Sequence, residues 1–270
     1  MIDGAPVRAS FPKLVITGAV GGLLSGAFGG GGGILMVPLL VTFVGMDQRR
    51  ASATSLVAII PAAIVGSLTY VAHGSVDAFA AIFLIIGGVI GSAFGSLVMR
   101  RTPIGVLRWL FIALLLVVAV RMLLIVPPRG GADTVENSWV AALLLVGVGL
   151  FIGVASGLFG IGGGVIAVPA LITLFGVGDL VAKGTSLLVM IPTAVSGTVG
   201  NLRGHVVDMR AGLIVGAAAA IASFAGVALA LVMPPQLSSV LFAALLVASA
   251  IQLAARTRRD RRDPPDPPQD

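Results

Sequence analysis

Ser25 stands one helical turn before the uninterrupted run Gly29, Gly30, Gly31, Gly32 and Gly33, and Ser156 stands one turn before Gly160, Gly162, Gly163 and Gly164. Glycine admits backbone angles that other residues avoid and lets a ligand approach the main chain. The apolar segments that begin near Ile34 and Val165, directly after these runs, present unpaired amide N–H groups and a positive dipole end. Amides and hydroxyls placed this way cradle an anion. A second pair of hydroxyls follows each run: Thr54-Ser55 before Pro61, and Thr185-Ser186 before Pro192. Proline removes a backbone donor and disturbs the preceding turn, so these hydroxyls could donate to an oxyanion. They could equally cap a helix start or bond back to a carbonyl.

Other chemistries find little here. The chain has no cysteine, which excludes disulfides, thiolate metal sites and thiol redox chemistry, and it has only two histidines. No paired carboxylates or clustered histidines suggest catalysis, a metal or a cofactor, so the chain does not read as an enzyme. No acid lies well inside an apolar segment, which argues against a buried carboxylate proton relay. His73 and His205 sit near Asp77 and Asp208 at segment ends. A histidine there could titrate in a proton-coupled cycle or simply be wet, while the aspartates fit helix N-caps. Asn201 is a further polar candidate, close to a segment end.

The elements that position these residues are membrane helices. The chain is 57% hydrophobic and 10% charged, with mean hydropathy +1.10, against about 25% charged for a soluble domain. Residue pairs repeat at a constant offset of 131: Gly22 with Gly153, Phe28 with Phe159, Pro38 with Pro169, Pro61 with Pro192, Asp77 with Asp208 and Pro103 with Pro234. The chain is therefore an internal duplication. Apolar segments 13–27, 34–45, 52–72, 77–99 and 104–126 recur as 138–158, 165–176, 183–203, 208–232 and 237–255. The organisation expected is a cytoplasmic segment 1–12, a first transmembrane repeat 13–126, a linker 127–137, a second repeat 138–255 and a disordered cytoplasmic tail 256–270. The polar start does not resemble a cleavable signal. Scattered glycines such as Gly87, Gly88, Gly91 and Gly95 fit close helix packing. The net charge of +6 lies in short loops and the tail, which reports membrane orientation and not a nucleic-acid partner.

Charge separates two topologies for the segments flanking each glycine run. At about 22 and 18 Å, segments 13–27 and 34–45 fall short of a membrane core of about 30 Å. If each pair is one kinked crossing and the N-terminus is cytoplasmic, Arg49, Arg50, Arg100, Arg101, Arg108 and Lys183 fall outside. If each pair is a hairpin, only Arg121, Arg129 and Lys183 do. Cytoplasmic loops collect Lys and Arg, so the hairpin is preferred. The expected fold is an all-α polytopic membrane protein with eight to ten helices. Its two halves form an inverted repeat, each a glycine-broken hairpin plus three spanning helices, with both chain ends cytoplasmic. Whether a hairpin crosses fully or is re-entrant has the same parity either way. Inverted-repeat transporters bind substrate near the midplane at discontinuous helices, and a passive anion channel could use the same cradle.

Two copies of G-x-x-S-G-x-F-G-x-G-G-G followed by a proline, each leading to T-S-L and a second proline, resemble the TauE/SafE family of sulfite and organosulfonate exporters. The resemblance covers residues 13–255. It implies an inner-membrane permease that moves a small sulfur-containing anion, usually outward. It leaves the cargo, the coupling ion (proton or sodium) and any homo-oligomer unassigned.

Overall fold

The computed structural model describes residues 10–30, 32–124, 132 and 134–262, with side chains to 255. Gly31, most of the 127–137 linker, most of segment 1–12 and the end of the charged tail lie outside the described residues. The helices follow the duplication: α1 (Phe11–Phe28), α2 (Gly33–Leu39), α3 (Gln48–Ala72), α4 (Ala78–Arg101) and α5 (Ile104–Leu124), then α6 (Trp139–Phe159), α7 (Gly164–Phe175), α8 (Asp179–Leu202), α9 (Met209–Val232) and α10 (Pro235–Arg262). A π-helical turn, Leu40–Val44, continues α2. Among the described residues, eight helices are long and apolar enough to cross a membrane. The other two, α2 with its π turn and α7, are about 18 Å long and fall short. The protein is an all-α polytopic membrane protein.

Local chemistry sets the helix ends. Asp77 and Asp208 cap α4 and α9 by accepting from the Ala80 and Ala211 amides, each at 3.0 Å, as their positions suggested. Asp47 does the same for α3 through Arg49 and Arg50. Thr54-Ser55 and Thr185-Ser186 are not caps, because α3 starts at Gln48 and α8 at Asp179, and the hydroxyls lie inside the helices. α10 carries on through Arg262, so the charged tail begins as helix. Lys183, counted with the outside loops above, is also inside a helix. It sits in the first turns of α8, 2% exposed and paired with Asp179.

Glycine lets the helices of one half press against those of the other. Gly18, Gly22 and Gly26 of α1 lie in succession against the carbonyls of Val215, Ala219 and Ser223 of α9. Gly149, Gly153 and Gly157 of α6 lie the same way against Leu84, Gly88 and Ser92 of α4. A methyl group at any of these six glycines would overlap a carbonyl oxygen. Gly87, Gly91 and Gly95 serve the same α4–α6 contact. Small residues that let backbones approach are how membrane helices associate without a hydrophobic driving force between them.

These contacts also fix direction. Residue numbers rise together along α1 and α9, and α3 rises with α9 as well, from Thr54 at Asp208 to Ala62 at Ser223. Thus α1, α3 and α9 run one way. α4 rises with α6 and with α8, from Asp77 at Thr185 to Ser92 at Thr193. Against this, α3 and α8 cross head to tail, Gly66 meeting Leu187 and Leu56 meeting Gly197. α4, α6 and α8 therefore run opposite to their counterparts in the other half. Since α1 and α3 are parallel, the chain doubles back between them, and Gly32 at the start of α2 lies beside Gly21 of α1. Ring stacks complete the interlock: Phe28 on Phe242 at 5.0 Å, and the equivalent Phe159 on Phe111 at 5.4 Å. Large apolar side chains such as Ile90, Phe94, Ile221 and Val232 face outward, the surface a lipid solvent requires.

Candidate functional site

The two glycine runs meet inside the protein. A methyl on Gly33 would reach the Gly160 carbonyl, and one on Gly164 would reach the Gly29 carbonyl, so the runs lie alongside one another. α1 ends with Gly29 at φ 61° and α6 ends with Gly160 at φ 72°, both left-handed, as glycine permits. The copies then diverge. Gly162 and Gly163 are left-handed at 72° and 87°, whereas Gly32 has φ −51°. The first break turns with ordinary angles at Gly32, where space alone demands glycine.

Each break is clasped by a serine from the opposite half. Ser186 Oγ donates to the Gly29 carbonyl at 2.6 Å, and Ser55 Oγ donates to the Gly160 carbonyl at 2.6 Å. Both hydroxyls also reach a carbonyl of their own helix, Lys183 and Ser52 respectively. The neighbouring threonines are used between halves too. Thr185 Oγ1 accepts from the Asp77 amide at 2.8 Å and Thr54 Oγ1 from the Asp208 amide at 3.0 Å. These four residues thus frame the breaks and anchor the starts of α4 and α9. Ser25 and Ser156 lie buried one turn before the breaks, and neither Oγ has a hydrogen-bond partner among the described residues. Of the amides after the breaks, Leu35 and Met36 bond to Gly32, and Ile166 and Ala167 bond to Gly163. Gly33, Ile34, Gly164 and Val165 are the first amides of their helices, and none donates to a backbone carbonyl among the described residues.

Beyond these, the structure adds a buried ion pair. Lys183 Nζ donates to Asp179 Oδ2 at 2.8 Å and to Ser238 Oγ at 2.9 Å, and its backbone lies against Gly29. The four-residue spacing of Asp179 and Lys183 is visible in sequence, but their burial is not. Tyr70, also fully buried, donates from its hydroxyl to the Gly26 carbonyl at 3.0 Å. The two histidines are outside this region: His73 ends α3, bonded to the Thr69 carbonyl, and His205 follows α8 with φ 52°.

With this geometry in hand, the chain can be set beside known proteins. A model of the family described as "Sulfite exporter TauE/SafE" matches residues 3–122 and 145–269. A probable membrane transporter protein of Xylella fastidiosa is 32% identical over 206 residues, covering 73% of this chain and 77% of the relative. The probable membrane transporter protein YunE of Bacillus subtilis is 27% identical over 220 residues, covering 73% and 80%. A third, MJ0441 of Methanocaldococcus jannaschii, also a probable membrane transporter protein, is 30% identical over 167 residues, covering 59% and 61%. No solved structure matches the chain.

Proposed function

We propose that this chain, which belongs to the sulfite exporter TauE/SafE family and is a membrane transporter and not an enzyme, moves a small sulfur-containing anion such as sulfite or an organosulfonate. The observation that carries the reading is the meeting of the two glycine runs, each clasped by a serine from the other half. Backbone that leaves the helix inside a membrane is tolerated where it is buried in protein or lines a cavity. In transporters built from inverted repeats such breaks hold the substrate. The opposed directions of equivalent helices support an inverted repeat, with repeats 13–126 and 138–255 rocking against each other around the breaks. Amides of Gly33, Ile34, Gly164 and Val165, together with the hydroxyls of Ser25 and Ser156, supply donors suited to an oxyanion.

The arginine-rich loops and tail support an inner-membrane location with both ends cytoplasmic, and export is the direction we assign. Burial of Lys183 strengthens the charge argument, because it removes that residue from the exposed outside set. The test is flux in proteoliposomes. Wild-type protein should move sulfite or methanesulfonate down an imposed gradient and show counterflow. A Gly32→Val, Gly163→Val protein that still unfolds cooperatively should not. Normal flux through that variant would refute the site, and flux without counterflow would mean a passive channel.

A further inference from the structure

The duplication gives every residue at one glycine break a counterpart at the other, and the polar side chains around the two differ. At the Gly29 end, Asp179, Lys183 and Ser238 satisfy one another and Tyr70 reaches Gly26. The counterparts at the Gly160 end are Gln48 for Asp179, Ser52 for Lys183, Leu107 for Ser238 and Asn201 for Tyr70. The Gln48 amide nitrogen and oxygen, Ser52 Oγ, and both amide atoms of Asn201 have no hydrogen-bond partner among the described residues, although all three residues are 0% exposed. Ser156 Oγ, also 0% exposed and without a partner among the described residues, is one turn from Gly160, as its counterpart Ser25 is from Gly29.

These groups share one place. The Ser52 backbone lies against Gly160, and Gln48 is one turn before it on α3. Leu56 meets Gly197 where α3 and α8 cross head to tail. One turn from that contact stand Ser52 on α3 and Asn201 on α8, which puts them level. Buried polar groups are almost always paired, and several unpaired ones in one place call for a water or a ligand. The donors suit an anion: amide N–H groups on Gln48 and Asn201 and hydroxyls on Ser52 and Ser156. Arg49 and Arg50 follow Gln48 in sequence where the other half has Leu180 and Val181.

We propose that a small oxyanion binds at the Gly160 end, held by the amide N–H groups of Gln48 and Asn201 and the hydroxyls of Ser52 and Ser156. The site is one-sided: the Lys183 ammonium closes the equivalent position of the other half. This rests on the reading of the chain as an anion transporter and names where the anion docks.

The experiment measures anion-dependent thermal stabilisation and calorimetric affinity of the full chain in detergent, using sulfite and methanesulfonate with chloride as control. Gln48→Met and Asn201→Leu remove unpaired polar atoms at similar volume. The protein without anion should melt no lower than wild type, since an apolar replacement relieves an unsatisfied buried group. Affinity for the anion should fall at least tenfold. Gln48→Glu keeps the shape, adds a negative charge and should abolish binding, which serves if the apolar variants fail to fold. A structural role alone would lower the melting temperature and leave the affinity of the folded protein unchanged. Wild-type affinity in all folded variants would overturn this site while leaving the transporter reading standing, with ordered water as the occupant. No binding of either anion by wild-type protein would overturn both.

Discussion

The two ends of the glycine pair hold the same backbone by different means. At Gly29 three of the surrounding side chains satisfy one another, a buried ammonium against a carboxylate and a hydroxyl, and the Ser25 hydroxyl is left without a partner among the described residues. At Gly160 the positions corresponding to Asp179, Lys183 and Tyr70 carry amides and a hydroxyl without a partner among the described residues. What the halves have kept in common is the main-chain clasp, with Ser186 on Gly29 and Ser55 on Gly160 at the same 2.6 Å. The duplication thus preserved the main-chain framework and let the side-chain chemistry at the two ends separate.

The most severe way to break this comparison is to open the ion pair on one side. Lys183→Met leaves Asp179 buried without its cation, and breaking a buried pair by removing one partner costs about 3–5 kcal/mol. Ser52→Ala at the equivalent position removes a hydroxyl that has no partner among the described residues and should leave thermal stability unchanged or slightly raised. The double change Asp179→Gln, Lys183→Ser copies the other end. It should recover most of the loss, because replacing both charges together avoids an orphaned ion. Melting curves in detergent for the three proteins settle the matter. If the double variant is as damaged as Lys183→Met, the two ends are not interchangeable frameworks.

A smaller effect separates the breaks themselves. Gly163 needs glycine for its angle, φ 87°, whereas Gly32 at φ −51° needs it for space beside the Gly21 carbonyl. Asparagine enters the left-handed region far more readily than a β-branched residue. Gly163→Asn should therefore be more stable than Gly163→Val by about 1–2 kcal/mol. At Gly32 the two replacements should be about equally damaging, since either side chain starts inside the same carbonyl. Equal damage at Gly163 would mean that crowding by Ile152, and not backbone angle, decides there as well.

Much of this architecture was legible in the sequence, for reasons that can be named. Helix extents follow from apolar segments ended by glycine, proline and aspartate, as at Gly45, Gly176, Asp77 and Asp208. The fold-back between α1 and α3 was readable from arginines, because loops carry orientation even when helices are featureless. For Ser55 and Ser186 the sequence leaves oxyanion donor, helix cap and bond to a carbonyl open; in the structure each bonds a carbonyl of its own helix and a glycine carbonyl more than a hundred residues away. Nothing local reveals such a partner. Lys183 opens segment 183–203 and counts as an outside charge there, because sequence alone does not show that it is buried against Asp179 one turn earlier. Gln48 and Ser52 were passed over entirely. Only the offset that pairs them with Asp179 and Lys183 would have drawn attention to them.

The serine clasps offer a test of how equal the framework is. Ser55→Ala and Ser186→Ala each remove one buried hydroxyl donor from a glycine carbonyl, a loss of about 1–1.5 kcal/mol. The two variants should melt within experimental error of one another. A much larger loss for Ser186→Ala would show that the Lys183 backbone, which shares that hydroxyl at 2.8 Å, ties the clasp to the ion pair.

The smallest expected effect lies at the rim, where the halves differ in exposure. Asp208 pairs with Arg50 at 2.9 Å with side chains 15% and 26% exposed. Its counterpart Asp77 is 1% exposed and accepts from the Ala80 and Val135 amides. A partly solvated pair contributes only about 0.2–1 kcal/mol, and salt screens it. Arg50→Gln should thus lower the melting temperature slightly at low ionic strength and not measurably at high salt. Asp77→Ala should cost more, and its cost should not vary with salt, because buried carboxylate-to-amide bonds are shielded from ions. If Arg50→Gln proves as costly as Asp77→Ala and equally indifferent to salt, the rim pair is as enclosed as its counterpart. The asymmetry between the two ends would then be confined to the polar groups around Gly29 and Gly160.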